Sequence, residues 1–490
     1  MKIYYIDLFC GAGGTSSGIH LASENTQVLA CVNHDANAIK SHQENHPKAH
    51  HFTEDIRDFE VVVKLKKLVD NLRLKEPNAI ISIWASLECT NFSNAKGGKV
   101  RDADSRSLAE HMYMYLENIN PDYFWIENVR EFMSWGPLDK KGKPINKVAG
   151  TSFVKWVKKI ESYGYNSEKR ILNSADYGAC QKRKRLFMQF AKPNFDITWP
   201  IPTHAKTPEN ATIKKYNPVK NALDFSLEGN SIFNRKRALS ENTFKRIYAG
   251  LNKFVANGEK GFTKQYNSGN DAQRVRSFNE PIGTITTNNR FAVVLTHLST
   301  YYGSYGLHSI NEPSPTITTK DRVSKIDVNF IDAQYGNSKP QSIEEPLGTL
   351  TTVPKFNLVK AEHYILNPSW GGSSGSIDKP CCTIVARQDK APLYLISAKF
   401  GTFEIPIYDD DSETMIKIKE FMVNYGITDI KMRMLNIPEL KQIQGFPIDY
   451  KLIGTQAEQK KYIGNAVEVN QAKALIKNNY HSLFKFNNLN

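Results

Sequence analysis

Short apolar, β-branched runs alternate with polar, helix-periodic stretches over roughly the first 200 residues. Residues 2–9 predict a strand, a glycine-rich turn follows, and a helix runs on to about residue 24. Residues 27–32 predict a second strand and residues 36–45 a helix. Residues 79–84, 123–126 and 185–191 predict three further strands, the first of them apolar enough to be buried on both faces. Short apolar strands alternating with helices predict an α/β fold built on a doubly wound, mainly parallel sheet.

From about Pro200 the pattern changes. Pro, Asn, Thr and Gly become frequent and the apolar runs shorten. Ser240-Glu241-Asn242, set among Arg235, Lys236, Arg237, Lys245 and Arg246, reads as a helix N-cap with an acidic first turn. A repeat follows. Residues 279–287 (NEPIGTITT), 311–319 (NEPSPTITT) and 344–352 (EEPLGTLTT) share one pattern, with a degenerate copy at 378–385. Their prolines stand 32, 33 and 34 residues apart. A fixed period of this kind marks a repeated supersecondary unit. Each copy reads as a proline-initiated turn into a Thr/Ile strand, so the middle of the chain predicts a β-rich second domain. Residues 433–447 return to a helical pattern with a Gly-Phe-Pro stop, and residues 473–478 predict part of a last helix.

Composition narrows the reading. At 490 residues, two to three domains are expected from the usual ~100–200 residues per domain. With 40% apolar and 23% charged residues the chain is not of the disordered class. It contains no apolar run of the ~18 residues a membrane helix needs. The first residues run straight into a strand-like segment, which predicts no signal peptide. Six cysteines without a CxxC pair form no disulfide or zinc framework, and Cys381-Cys382 have no partners at metal-ligand spacing. This usage fits a reducing cytoplasm. The 64 Lys and Arg exceed the 50 Asp and Glu, a net charge of +14 that points to a polyanionic partner, nucleic acid first.

Four segments carry candidate chemistry. Asp7-Leu8-Phe9-Cys10-Gly11-Ala12-Gly13-Gly14, with Gly18 beyond, ends a strand in a Gly-x-Gly-Gly turn that opens a helix. Such a turn lets backbone approach a ligand and offers a helix N-terminus to an anion. Cys89 lies in a polar loop just past a strand, where a nucleophile would be exposed. Gly97-Gly98 beyond it suit the hinge of a closing loop. Glu127, in Trp125-Ile126-Glu127-Asn128-Val129, stands at the end of an apolar strand, the rim at which α/β sheets bind ligands. In Gln181-Lys182-Arg183-Lys184-Arg185, strand alternation would point Gln181, Arg183 and Arg185 to one face.

Taken in order, these segments resemble the motif set of the DNA (cytosine-5) methyltransferases. Residues 433–447, from Arg433-Met434-Leu435 through Glu439 to Gln444-Gly445-Phe446-Pro447, resemble that family's ninth motif. Gly464-Asn465-Ala466-Val467 resembles its tenth. The resemblance covers roughly residues 1–200 and 430–480, and residues 200–430 sit where the family carries its variable target-recognition domain. Three departures stand out. Glu88-Cys89-Thr90 replaces the usual Pro-Cys-Gln, Asn33 stands near the place of the ribose-binding Glu, and Asn436 and Gln442 replace a common Thr and Arg.

The resemblance implies a Rossmann-like S-adenosylmethionine-dependent methyltransferase fold, split in sequence into 1–200 and 431–490 around a recognition domain at 201–430. It implies Cys89 as nucleophile toward carbon 6 of a flipped-out cytosine, Glu127 as proton donor to ring N3, Arg185 at the O2 side and Arg183 near the thiol. S-adenosylmethionine would be the donor, held by Asp7, Phe9, Gly11, Gly13, Gly14, Asn33, Asp55, Ile56, Leu108 and Asn465. Double-stranded DNA would be the partner, bound by a monomer, with a restriction endonuclease in the same system. Two alternatives are a catalytically silent DNA-binding homologue and a cytosine-5 methyltransferase acting on RNA. The joint presence of Cys89, Glu127, Arg183 and Arg185 argues against the first, and the length of the 200–430 insert against the second.

Overall fold

Strand β1 (Ile3–Leu8) is buried along its whole length, because the sheet it centres is covered on both faces. The computed structural model describes residues 1–87, 108–137, 150–227, 229–233, 235–252, 405–424 and 427–487, and within 253–404 only short strands. The chain divides into two compact units. The first comprises Met1–Ala179, Arg183–Lys215 and Gln444–Asn490. The second comprises Cys180–Lys182 and Tyr216–Ile443.

In the first unit β1 is followed by α1 (Gly14–Ala22), β2 (Thr26–Asn33), α2 (Ala36–Asn45), β3 (His50–Thr53), α3 (Phe59–Lys75) and β4 (Ile80–Ser86). Then come α4 (Met112–Ile119), β5 (Tyr123–Asn128), α5 (Thr151–Glu161), β6 (Asn166–Asn173), and β8 (Lys184–Ala191) after the two-residue strand β7 (Gln181–Lys182) that belongs to the second unit. Two C-terminal helices, α6 (Gln456–Asn465) and α7 (Val469–Asn487), complete it. The seven-stranded sheet has the order β3-β2-β1-β4-β5-β8-β6. Strands β3 to β5 are parallel, and β8 runs antiparallel to both β5 and β6. This is the Rossmann-like, doubly wound architecture.

Strand alternation divides the core. Tyr4, Ile6, Leu8, Ile81, Ile83, Phe124 and Ile126 pack with α3, α4 and α5 on one face. Ile3, Tyr5, Trp84, Tyr123 and Trp125 pack on the other against Ile19 of α1 and Ala472, Leu475, Ile476 and Tyr480 of α7. Three of the helices begin where the sequence supplies caps. Asp35 accepts from the backbone N–H of Asn37 and Ala38, Asp58 from that of Glu60, and Thr455 forms a reciprocal capping box with Glu458.

The second unit is built on antiparallel pairings. Tyr394–Phe400 pairs with Ile427–Met434, which also pairs with Asn230–Ser231 and Ala292–Val294. Two expectations change. The helical pattern read at 433–447 begins inside the strand Ile427–Met434, and the helix covers only Ile437–Ile443. Alternation along 181–185 is broken at Arg183, between β7 and β8. The N-cap reading holds: Ser240 stands at the N-cap of Glu241–Gly250 with Glu241 in the first turn, its hydroxyl meeting the Thr243 hydroxyl at 3.0 Å. The repeats at 279–287, 311–319 and 344–352 lie outside the described residues. Of the fourth copy, Cys381-Cys382 form a short strand parallel to β7.

Candidate active site

The carboxyl ends of β1, β2, β4 and β5 meet at one rim of the first unit's sheet. In register, Leu8 pairs with Ala85 and Ser86 with Glu127. Because β8 is antiparallel, its first residues start at that same rim, with Asn128 opposite Leu186. One edge therefore gathers the glycine loop, Asn33, Glu127 and Arg185.

Glu127 is buried, and the Nε of Arg185 lies 3.2 Å from its Oε1. Burial pushes the Glu127 carboxyl above its usual range, against the opposing pull of Arg185 and then Arg183. A carboxyl so placed holds its proton at a pH where an exposed one has lost it, and the adjacent guanidinium keeps the ionised form accessible. Arg183 is also buried. Its Nη1 donates to the Gly464 carbonyl at 3.2 Å, and its backbone is clamped by a pair of hydrogen bonds with Ser174. Thus the tenth-motif segment is tied to the Arg183 position from the far end of the chain. Gln444 reinforces it, donating to the Ala466 carbonyl at 2.7 Å.

Cys89, with Glu88, lies outside the described residues. The strand that leads toward it ends at Ser86, and the carbonyl of the next residue, Leu87, accepts from Asn128 Nδ2 at 3.3 Å. Asn128 therefore links the start of the Cys89 segment to the Glu127 strand.

The glycine loop has the backbone such a turn requires. Gly11 and Gly13 have φ of +52° and +99°, and Phe9 has φ of +59° although it is not glycine. A Cβ on Gly11 would meet nothing within 4 Å, whereas one on Gly13 would collide with the Tyr450 hydroxyl. One on Gly14 would lie 2.6 Å from the Val467 carbonyl oxygen. Two of the three glycines are thus required by the close approach of the chain's own C-terminal segment, and Gly11 faces open space. Helix α1 begins at Gly14, with Gly13 at its N-cap and no side-chain cap, and within its first turn the Ser16 backbone N–H meets the Asp7 carboxyl.

Around the loop, Asn33 ends β2 and accepts from the Asp35 backbone N–H at 2.9 Å. Asp55 is paired in a fork with Arg57, which draws its carboxyl below the usual range. Ile56 is buried, and its carbonyl accepts from Tyr115 at 2.7 Å. Leu108 packs against the α4 side of the core. Asn465 ends α6 and is exposed. Asp7 is fully buried beneath α1, accepting from Ser16 Oγ at 2.7 Å. The half-open glycine cradle, with an apolar neighbour in Phe9 and polar groups at Asn33 and Asp55, suits an amphipathic donor such as S-adenosylmethionine.

Glu468 escaped the sequence reading. It is buried, accepts from Gln471 N at 2.8 Å at the start of α7, and burial lifts it to about 7 against its hydrogen bonds and Arg183. Its place directly after the tenth motif was the available signal. In the second unit, the Arg433 and Glu439 of the ninth motif form a two-pronged ion pair at 2.8 and 2.9 Å. Asn436 caps the following helix by exchanging hydrogen bonds with Glu439. The Asn436 departure thus has a structural use.

The sequence model of the C-5 cytosine-specific DNA methylase family matches residues 3–481. Type II methyltransferase M.AgeI of Thalassovita gelatinovora is 28% identical over 214 residues, covering 44% of this chain and 45% of that protein. Type II methyltransferase M.BspRI of Lysinibacillus sphaericus is 26% identical over 267 residues, covering 50% and 60%. The chain spans about half the length of these curated relatives. Among solved structures, the Entamoeba histolytica methyltransferase EhMeth covers 99% of each chain at 13% identity, with a TM-score of 0.49.

Proposed function

This chain belongs to the C-5 cytosine-specific DNA methylase family, and on that premise we propose that it methylates carbon 5 of a flipped-out cytosine in a specific double-stranded DNA sequence. The observation that carries the proposal is the buried Glu127–Arg185 pair at the sheet rim, beside the glycine cradle. S-adenosylmethionine, when bound, supplies an electrophilic methyl group. Phe9, Gly11, Gly13 and Gly14 would hold it, with Asp7 acting from beneath through Ser16 and Asn33, Asp55, Ile56, Leu108 and Asn465 around it.

The chain's own residues supply the remainder. Carbon 5 of cytosine is weakly nucleophilic, and addition of the Cys89 thiolate to carbon 6 makes it the nucleophilic carbon of an enamine. Glu127, whose carboxyl burial pushes above its usual range, gives a proton to ring N3 as negative charge builds there. Arg185 both steadies the resulting carboxylate and offers donors to the O2 side. Arg183 holds the wall behind them through Gly464. Once carbon 5 carries the methyl group, loss of its proton to solvent expels the thiolate, and return of the N3 proton to Glu127 restores the neutral aromatic ring. The target base has to leave the duplex to reach a rim of this kind.

The second unit is proposed to read the DNA, with basic residues of 200–430 on phosphates and a few side chains on base edges. The Type II names of the relatives support a paired endonuclease. Duplex DNA carrying 5-fluorocytosine in mixed contexts, incubated with the chain and S-adenosylmethionine, tests the reading. Fluorine cannot leave as a proton, so a denaturant-resistant adduct on the Cys89 peptide is expected, absent in Cys89→Ser. DNA binding without an adduct would overturn it in favour of a silent binder.

A further inference from the structure

Behind the glycine loop stands a cluster that the proposed methyl transfer does not use. Cys10 follows β1, Cys31 lies on β2, His42 on α2 and His51 on β3. The β2–β3 register sets His51 directly opposite Cys31. Cys10, Cys31 and His42 are all buried, and one ligand atom from each lies within 4.8 Å of the others. The Cys31 Sγ is 3.5 Å from His42 Nδ1, and His51 Nε2 is 3.0 Å from that same nitrogen.

On its far side His42 is held by Ser16. Ser16 Oγ lies 2.7 Å from the Asp7 carboxyl. The same Oγ lies 2.8 Å from His42 Nε2, and when Ser16 gives its proton to Asp7 the ring is the donor in that contact. In that tautomer the ring proton is on Nε2 and Nδ1 is a lone pair facing a thiol and a second imidazole. A metal-bound histidine has this arrangement, its other N–H held by an outer partner that fixes the tautomer.

We infer that Cys10, Cys31, His42 and His51 form a tetrahedral site for a thiophilic divalent cation, zinc. Bonds of about 2.0 Å to nitrogen and 2.3 Å to sulfur put neighbouring ligand atoms about 3.3–3.8 Å apart; the Cys31–His42 distance already fits, the His42–His51 distance has to open by a few tenths of an ångström, and the Cys10–Cys31–His42 group, within 4.8 Å, has to close by up to about 1 Å. On binding, each thiol loses its proton to solvent and both imidazoles remain neutral. Two thiolates then balance the dication, so the buried complex carries no net charge, as its surroundings demand. Ile39, which packs with Cys10 and Cys31, closes the apolar side, and the half-buried His51 gives the ion an entry path. Bound there, the ion would pin the residue preceding Gly11 to β2, α2 and β3.

The full chain, purified with a phosphine reductant, is analysed for metal by mass spectrometry and then titrated with zinc and with cobalt(II). One equivalent of zinc per chain is expected, and the cobalt form should show a thiolate charge-transfer band and strong tetrahedral d–d bands. Cys31→Ser should abolish the charge-transfer intensity in large part, while Cys180→Ser, outside the cluster, should leave it unchanged. Ser16→Ala, which keeps all four ligands, should weaken zinc binding by roughly 10–100-fold. Substoichiometric zinc with thiols that react as free, a Cys10–Cys31 disulfide, or bound cobalt without a thiolate band would overturn the assignment. The cobalt spectrum of the wild-type chain decides the matter even if Cys31→Ser does not fold.

Discussion

Glu127 depends on both its burial and its partner. Burial favours the acid form, and Arg185 at 3.2 Å limits the shift. With its pKa raised, the carboxyl keeps its proton at pH values where an ordinary glutamate is ionised. Activity that needs this proton is present below the raised pKa and is lost as pH rises through it. Glu127→Gln is expected to lower kcat about 10²–10⁴-fold while duplex binding persists, and to remove that alkaline decline from the residual rate. Rate–pH profiles of the two proteins provide the check, and a variant with the wild-type alkaline limb would remove Glu127 from the role of acid. The residue type and its place at a strand end were legible in the sequence. The depth of its burial and the choice of Arg185 over Arg183 as its close partner were not, because both depend on where the antiparallel β8 begins.

At the scale of elements, the packing of α1 on α7 is set by glycine. A Cβ on Gly18 would lie 2.5 Å from the Ala472 Cβ and 2.9 Å from the Lys473 backbone nitrogen. Backbone atoms cannot yield as a flexible side chain does. Gly18→Ala gains about 1 kcal/mol of helix propensity but costs an overpacking term of about 1–3 kcal/mol. A net loss of stability is expected from urea unfolding midpoints, relieved in part by the second change Ala472→Gly. Sequence reading placed Gly18 in the ligand-loop motif; the structure adds a packing role on the other side of the chain. The two-residue strand β7 and the interruption at Arg183 show the opposite limit. A run of Gln, Lys and Arg has a strand-compatible pattern throughout, and only the partners of each residue decide where the ladder breaks.

For the whole molecule, the discontinuity of the first unit is the governing fact. Val467, Ala472, Leu475, Ile476 and Tyr480 cover Trp84, Trp125 and Tyr123 on one face of the sheet. A chain ending at Ile443 would leave that face in water, an exposed apolar surface of the kind that aggregates. Such a truncation should lack a cooperative thermal transition, and a peptide of residues 444–490 supplied in trans should restore one; calorimetry checks both. The sequence by itself determined the strand–helix alternation, the apolar strands, the glycine turn and the ordered motifs, since each rests on local periodicity or on residue types a few positions apart. Asp35, Asp58 and Thr455 as helix caps belong to the same local class. Tertiary structure alone decided which glycines meet the C-terminal segment, how Arg183 reaches Gly464, and that residues 10, 31, 42 and 51 converge. Those positions come from one loop, two strands and a helix at irregular intervals, so no spacing rule exposes them. Parallel crossover connections bring them together only after the sheet has closed its register.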